Sequence, residues 1–357
     1  MPIDPVPLLA ALVRTPSPSG EERPAAGVLA SWAREHGLQV ELNETAVRIE
    51  LAAAEAGPTL LLASHLDTVA VGDDWSVDPF SGLVRDERLF GRGAVDAKGS
   101  IAAMGAALAE LAAQGGVRRG RLVVLGTYRE ETRAPSMPQA LERLSYSPDA
   151  AIIGEPTRLE PCIAQRGLIV LRLTWRGEQL HAGWAVDREP RPELAIERAA
   201  SDLVRLSELR LERRHRVLGQ VAITPTMIRA GESRSMTPAS AEAFVDVRTV
   251  PCYEHAEVIE RIRKTLRADV EVISDHRRPV ETPAGSRLLS TIERIVPDAA
   301  PFGSPTSSDW IWLDGVDAVK WGPGDSRLSH TADESIAVEE VRRAAELYAA
   351  VATEYLS

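Results

Sequence analysis

The sequence predicts an α/β protein: a mostly parallel sheet with flanking helices, interrupted by an inserted α+β unit. Three observations predict it. Short continuous apolar runs, TLLLASH (59–65), RLVVLGT (121–127) and DAAIIG (149–154), read as strands buried on both faces. Helix-patterned segments separate them, as crossovers between parallel strands require. After about Arg166 the pattern changes to alternation of apolar and polar residues, the mark of strands with one exposed face.

The elements follow in order. Residues 24–37, PAAGVLASWAREHG, have helical apolar spacing and end on a glycine. VRDERLFG (84–91) reads as a hairpin, and residues 99–116 form an alanine- and leucine-rich helix with glycines at both ends. The second style opens with a half-exposed strand over 168–177 and a long charged helix over roughly 192–214. Alternating strands are expected over 220–231 and 240–250, then a helix over about 254–266. From about Pro279 the first style returns, with a helix near 285–296, a strand over 317–322 and a closing helix over about 338–355. The expected organisation is a discontinuous catalytic domain, 1–165 and 277–357, with an inserted lid or dimerisation domain, 166–276.

Bulk properties exclude several classes. A net charge of −11 argues against nucleic-acid binding, which needs a basic patch. No apolar run approaches the roughly 18 residues of a membrane span. The start of the chain lacks the basic and apolar regions of a signal peptide. With only Cys162 and Cys252 there is no disulfide framework, so a cytoplasmic location is expected.

Residue types that bind metals recur at strand ends and in glycine-rich turns. They are His65 and Asp67 in SHLDTV, Asp96 in GRGAVDAKG, Glu130 and Glu131 in YREE, Glu155 in IIGEPT, and His330 in LSHTADE. Alone, each has a plainer reading: a hydrogen-bonded histidine, or a solvated acidic pair. GRGAVD also lacks the third glycine of a dinucleotide-binding turn. Together, two histidines and several carboxylates suit zinc, cobalt or manganese. A cluster of buried carboxylates needs cations, because an isolated one would protonate.

These motifs, in this order, resemble the dinuclear zinc aminoacylase/carboxypeptidase-type hydrolases over nearly the whole chain. That family includes acetylornithine deacetylase, succinyl-diaminopimelate desuccinylase and glutamate carboxypeptidase. The resemblance implies a zinc-peptidase-like catalytic domain that hydrolyses linear amides with two divalent ions, Zn2+ or Co2+. It implies that His65, Asp96 and Glu155 hold one ion, that Asp96, Glu131 and His330 hold the other, and that Asp67 orients His65. Glu130 is the implied general base, taking a proton from the attacking water and passing it to the leaving nitrogen. His181, in EQLHAGWA, is the implied donor to the tetrahedral oxyanion, reaching an active site across a dimer interface. Arg248, in FVDVRTVPCY, matches an arginine that takes the substrate carboxylate. Gly322 and Gly324 flank a proline in a turn whose backbone could lie close to substrate. Ser235 stands near a position where the family commonly has asparagine. Lys98 and Arg129 flank ligand motifs, with solvent exposure or an ion pair as plain as any catalytic role.

Within the family, GEPTRLEPCIAQRGLIVL, FGSPTSSDW and KWGPGDSRLSHTADE look most like acetylornithine deacetylases of arginine biosynthesis. The expected substrate is therefore N2-acetylornithine, and the expected assembly a homodimer through the inserted domain. A desuccinylase is the nearest alternative and would need a further basic residue, Arg129, Arg166 or Arg234, for the succinyl carboxylate. A hydrolase releasing lysine or ornithine from a carrier protein shares the GPGDS…SHT tail. A non-catalytic metal-binding homologue is the alternative of another class, and retention of Glu130 beside Glu131 argues against it.

Overall fold

The computed structural model describes residues 2–132, 134–185 and 187–357. The chain divides into two compact units. One comprises Met1–Ile163, Glu281–Phe302 and Ser308–Ser357; the other comprises Ala164–Val280 and Gly303–Ser307.

The first unit begins with helices α1 (Val6–Val13) and α2 (Arg23–Glu35). Hairpin β1 (Gln39–Leu42) and β2 (Ala46–Ala52) follows, then β3 (Thr59–His65) and the hairpin β4 (Leu83–Arg85) and β5 (Arg88–Phe90). Helix α3 (Gly99–Ala113) leads to β6 (Arg121–Thr127), α4 (Met137–Glu142), β7 (Ala150–Ile153) and β8 (Cys162–Gln165). The inserted unit holds β9 (Gly167–Arg176), α5 (Ala195–Glu208), β10 (Ala222–Ala230), β11 (Ser240–Thr249), α6 (His255–Thr265) and β12 (Asp269–Arg277). The chain returns through β13 (Val280–Glu281), α7 (Arg287–Ile295), β14 (Phe302–Ser304), β15 (Asp317–Lys320), β16 (Ser335–Ala337) and α8 (Val338–Tyr355).

The main sheet runs β1-β2-β6-β3-β7-β15-β8-β13, with β14 beside β8. Its centre, β6-β3-β7-β15, is parallel, and its margins are antiparallel. Every residue of β3 is buried, as an uninterrupted apolar run between two strands requires. Leu62, Val124 and Ile152 of neighbouring strands share one core with Ile101 and Leu108 of α3 and Val341 and Tyr348 of α8. Small residues line α3, and at Gly105 an added Cβ would lie 3.3 Å from the Trp32 ring. Among the described residues, no helix is long and apolar enough to cross a membrane.

The inserted unit is a four-stranded antiparallel sheet, β10-β11-β9-β12, with α5 and α6 sharing its core. Strands β9 and β11 show the expected alternation of burial. The structure corrects three expectations here. The charged helix stops at Glu208 rather than near residue 214, because Leu211 and His215 turn inward and His215 pairs with Gly219 across a tight turn. Strand β10 is exposed nearly throughout, because it is an edge strand with little packed on either face. Strand β12 was not expected. Its DVEVISDHR sequence buries mainly Val270, so its apolar signal is short. In the first unit, α1 and the β1–β2 hairpin likewise went unread.

Candidate metal centre

Three adjacent parallel strands deliver acidic and imidazole groups at their carboxyl ends. Strand β3 ends at His65, paired in register with Thr127 at the end of β6. Asp67 follows the first strand, Glu130 and Glu131 follow the second, and Glu155 follows β7. Parallel neighbours lie about 4.8 Å apart, so side chains just beyond their ends converge. Asp96 arrives from the turn before α3, and His330 from the loop before β16.

Asp96 lies between the two histidines. Its Oδ1 is 3.0 Å from His65 Nε2, and its Oδ2 is 3.4 Å from His330 Nε2. His65 Nε2 is also 3.9 Å from Glu155 Oε1, and His330 Nε2 is 2.8 Å from Glu131 Oε1. Among the described residues, three sets of potential ligand atoms each gather within 4.8 Å: His65, Asp96 and Glu155; Asp96, Glu131 and His330; and His65, Glu130 and Glu131. The sequence-selected acids and histidines are thus brought together, with Glu130 among them rather than apart.

The electrostatics show what this donor set demands. Burial opposes charge on His65, but Asp67 and Asp96 outweigh it and hold its pKa well above the usual value. Hydrogen bonds to Asp96 and Glu131 push His330 up to about 10. Burial works against the charge of Asp96, yet the two histidines pull it below the usual carboxylate range. Burial, then Asp96, pushes Glu155 up to about 7 despite His65. Crowded carboxylates therefore hold protons on their neighbours, and divalent cations satisfy the same need. Oxygen and imidazole donors at these spacings fit zinc, cobalt or manganese.

A second tier of side chains fixes the turns. Asp67 Oδ1 accepts from Glu130 N at 3.0 Å, and its Oδ2 accepts from Glu131 N at 3.1 Å and Ser19 Oγ at 2.7 Å. His65 Nδ1 faces the main-chain oxygen of Asp67 at 3.0 Å, which leaves Nε2 for the centre. One buried carboxylate thus fixes the main chain of both adjacent glutamates. Glu22 accepts from Arg129 N at 3.0 Å, steadying a residue with φ of 59°. Lys98 is buried and, among the described residues, in no direct ion pair. Its buried Nζ donates to the carbonyls of Leu12 and Thr15 at 2.9 and 3.0 Å. Burial pushes it down to about 7, although Glu334 and Asp67 oppose the shift. Sequence reading missed Ser19, Glu22 and Glu334. The one local signal was a serine- and glutamate-containing turn, TPSPSGEE, directly after an apolar run.

Gly322 and Gly324 stand after β15. A Cβ at Gly322 would lie 2.5 Å from Ser100 Oγ and 2.7 Å from Glu155 O, and Gly324 has φ of 94°. The Gly322 carbonyl accepts from Thr157 N and Leu159 N, and Gly324 N donates to Glu340. The close approach that glycine permits is made to the protein itself, beside Glu155.

His181 and Arg248 belong to the inserted unit. The His181 segment bridges to Met236, and Ala182 N donates to Ser235 O at 2.8 Å, so the histidine and the Ser235 stretch are neighbours. His181 is exposed, and its Nδ1 accepts from Gly183 N at 3.2 Å. Arg248 meets Asp246 through Nε at 2.8 Å and Nη2 at 3.1 Å. Arg166 donates to the carbonyls of Leu218, Gln220 and Arg248 and braces the main chain.

A family model described as peptidase family M20/M25/M40 matches residues 61–354. A succinyl-diaminopimelate desuccinylase from Methylorubrum populi is 30% identical over 99% of this chain and 98% of that protein. A protein from Aeropyrum pernix named as a LysW-lysine/LysW-ornithine hydrolase is 28% identical over 96% of this chain and 93% of its own. An acetylornithine deacetylase from Proteus mirabilis is 27% identical over 87% and 84%. Among solved structures, aminopeptidase PepT from Bacillus cereus superposes with a TM-score of 0.81 over 99% of this chain and 98% of that one, at 20% identity.

Proposed function

The chain belongs to peptidase family M20/M25/M40 and is a metal-dependent hydrolase of amides, and from that premise we propose that it removes a succinyl-type, carboxylate-bearing acyl group from an amino acid. The observation that carries the chemistry is the convergence of His65, Asp96, Glu131, Glu155 and His330, with Glu130 beside them. His65, Asp96 and Glu155 would hold one ion; Asp96, Glu131 and His330 would hold the other. When bound, two such ions acidify water and polarise an acyl carbonyl. Glu130, its amide fixed by Asp67, takes the proton of the attacking water and returns it to the leaving nitrogen. His181 donates to the developing oxyanion, and Arg248 binds the substrate α-carboxylate.

A succinyl group is not the acetyl expected of the sequence stretches. Three relatives named as succinyl-diaminopimelate desuccinylases match 99–100% of the chain, against 87% for the deacetylase, and this favours the succinyl alternative. Of the three arginines considered for the extra carboxylate, Arg166 is committed to main-chain carbonyls. Arg129 is exposed on the turn that presents Glu130, with its own amide held by Glu22, and is the better candidate. A carrier-linked lysine or ornithine hydrolase is the second reading, favoured by the GPGDS…SHT tail and the Aeropyrum relative. A homodimer would cover the exposed edge strand β10, where Met227 and Ile228 are open.

The test is a substrate panel with added zinc or cobalt: N-succinyl-diaminopimelate, N2-succinylornithine, N2-acetylornithine and N-acetylcitrulline. We expect both succinyl compounds to be turned over faster than both acetyl compounds, and Arg129→Ala to narrow the gap. Preference for the acetyl pair restores the deacetylase reading. Inactivity on all four directs attention to carrier-linked substrates.

A further inference from the structure

We propose that Glu334 is a positioning residue: its buried carboxylate ties the turn that carries Asp96 to the segment that carries His330, and so sets the half of the centre those two residues share. The proposal rests on the metal-binding reading above, which assigns ligands but leaves open what holds them.

Glu334 is 1% exposed and Arg92 is 3% exposed. Both side-chain oxygens of Glu334 are used. Oε1 accepts from Val95 N at 2.9 Å and Asp96 N at 3.1 Å, and Oε2 meets Arg92 Nη1 at 2.7 Å. Its main-chain carbonyl accepts from Gly91 N at 2.8 Å. A single residue therefore binds the 91–96 segment at four points. The Arg92 guanidinium in turn lies 5.2 Å from the centroid of the Trp75 ring.

Four residues before Glu334 stands His330. The connection contains two left-handed residues, His330 with φ of 63° and Asp333 with φ of 52°. Residues other than glycine adopt that conformation uncommonly, although His and Asp do so more readily than most. Downstream of His330 the segment is fixed by Glu334, by the pairing of β16 with β5, and by Asp333, whose carboxylate accepts from Ser76 N at 2.8 Å. His65 needs no such anchor, because it ends a fully buried central strand. Loosening Glu334 therefore acts unequally. An ion held by Asp96, Glu131 and His330 would lose two placed ligands, whereas one held by His65, Asp96 and Glu155 would lose one.

A buried charge without its partner is costly, while removal of both partners is often tolerated. This separates a positioning role from a merely structural one. Chelator-treated protein is titrated with Zn2+ by calorimetry, and thermal unfolding of the metal-free protein is measured alongside. The parent is expected to bind two ions, and His330→Ala to lose one. Glu334→Gln is expected to keep one ion near parental affinity and to bind the other about 10- to 100-fold more weakly. The double variant Arg92→Met/Glu334→Gln is expected to regain thermal stability without regaining that affinity, and it carries the test if Glu334→Gln does not fold. Parental affinity for both ions in the double variant overturns the proposal and leaves the ligand assignment standing. A parent that binds no divalent ion overturns both.

Discussion

At the residue scale the centre depends on which group is left to move protons. Glu130 lies among the potential ligands but has its amide pinned by Asp67, so its carboxylate is aimed by the main chain rather than by the histidines alone. Glu130→Gln preserves shape and removes the basic oxygen. We expect its kcat to fall by about 10²- to 10⁴-fold, the usual scale for losing a general base, while zinc stoichiometry by elemental analysis stays at two. Unchanged kcat would end the general-base assignment. The ligand types were legible in the sequence because each sits in a short motif at a strand end. Glu22, Lys98 and Glu334 were not legible. Glu22 and Lys98 bind main-chain groups of residues remote in sequence. Glu334 binds Arg92 and two main-chain amides that are equally remote. No side-chain pattern announces a main-chain partner.

At the element scale, strand ends place the ligands and packing limits what stands beside them. At Gly154, between β7 and Glu155, a Cβ would meet Met104 Cε at 2.6 Å and Ser100 Cβ at 2.7 Å. Gly154→Ala overpacks this junction at a cost of about 1–3 kcal/mol. A lowered Tm and weakened zinc binding are expected together; a parental Tm would show that the junction has room. The inserted unit has a different sensitivity. His255, at the start of α6, is buried with Nδ1 on the Asp275 carbonyl and Nε2 on Thr249 Oγ1, both at 2.8 Å. Burial holds its pKa below the usual histidine value, with Arg278 adding and the Asp275 carbonyl opposing. The unfolded chain therefore binds the proton more readily. The stability that neutral His255 contributes is complete above the unfolded pKa of about 6.5 and is lost as pH falls through the lower folded value. Denaturant midpoints should drop between pH 7.5 and 5.5 more in the parent than in His255→Gln, and equal slopes would count against this. The strands of this unit were readable from alternation, except β12, and the length of α5 was misread. One buried acid in that helix, Asp202, accepts from Trp175 Nε1 and the amides of Arg267 and Ala268. A charged residue facing inward cannot be told from a solvated one in sequence.

At the scale of the whole molecule, a metal-dependent fold should report its ions in its stability. An ion that binds only the folded chain adds about 2.7 kcal/mol at a hundredfold excess over Kd. Chelator should therefore lower Tm and abolish hydrolysis, and zinc should restore both; a Tm indifferent to chelator and zinc would contradict a centre built from these carboxylates. The sequence by itself determined the α/β class, the change of strand pattern after about Arg166, and which residue types able to bind metal stand at strand ends. Those depend on apolar periodicity and on short motifs, which are local. Tertiary structure alone decided that Asp96 faces both histidines, that Asp67 holds two neighbouring glutamate amides, and that Glu334 fastens Asp96 to the His330 segment. Those are distances between residues 31 to 242 positions apart in sequence, and only the tertiary fold brings them within reach of a hydrogen bond.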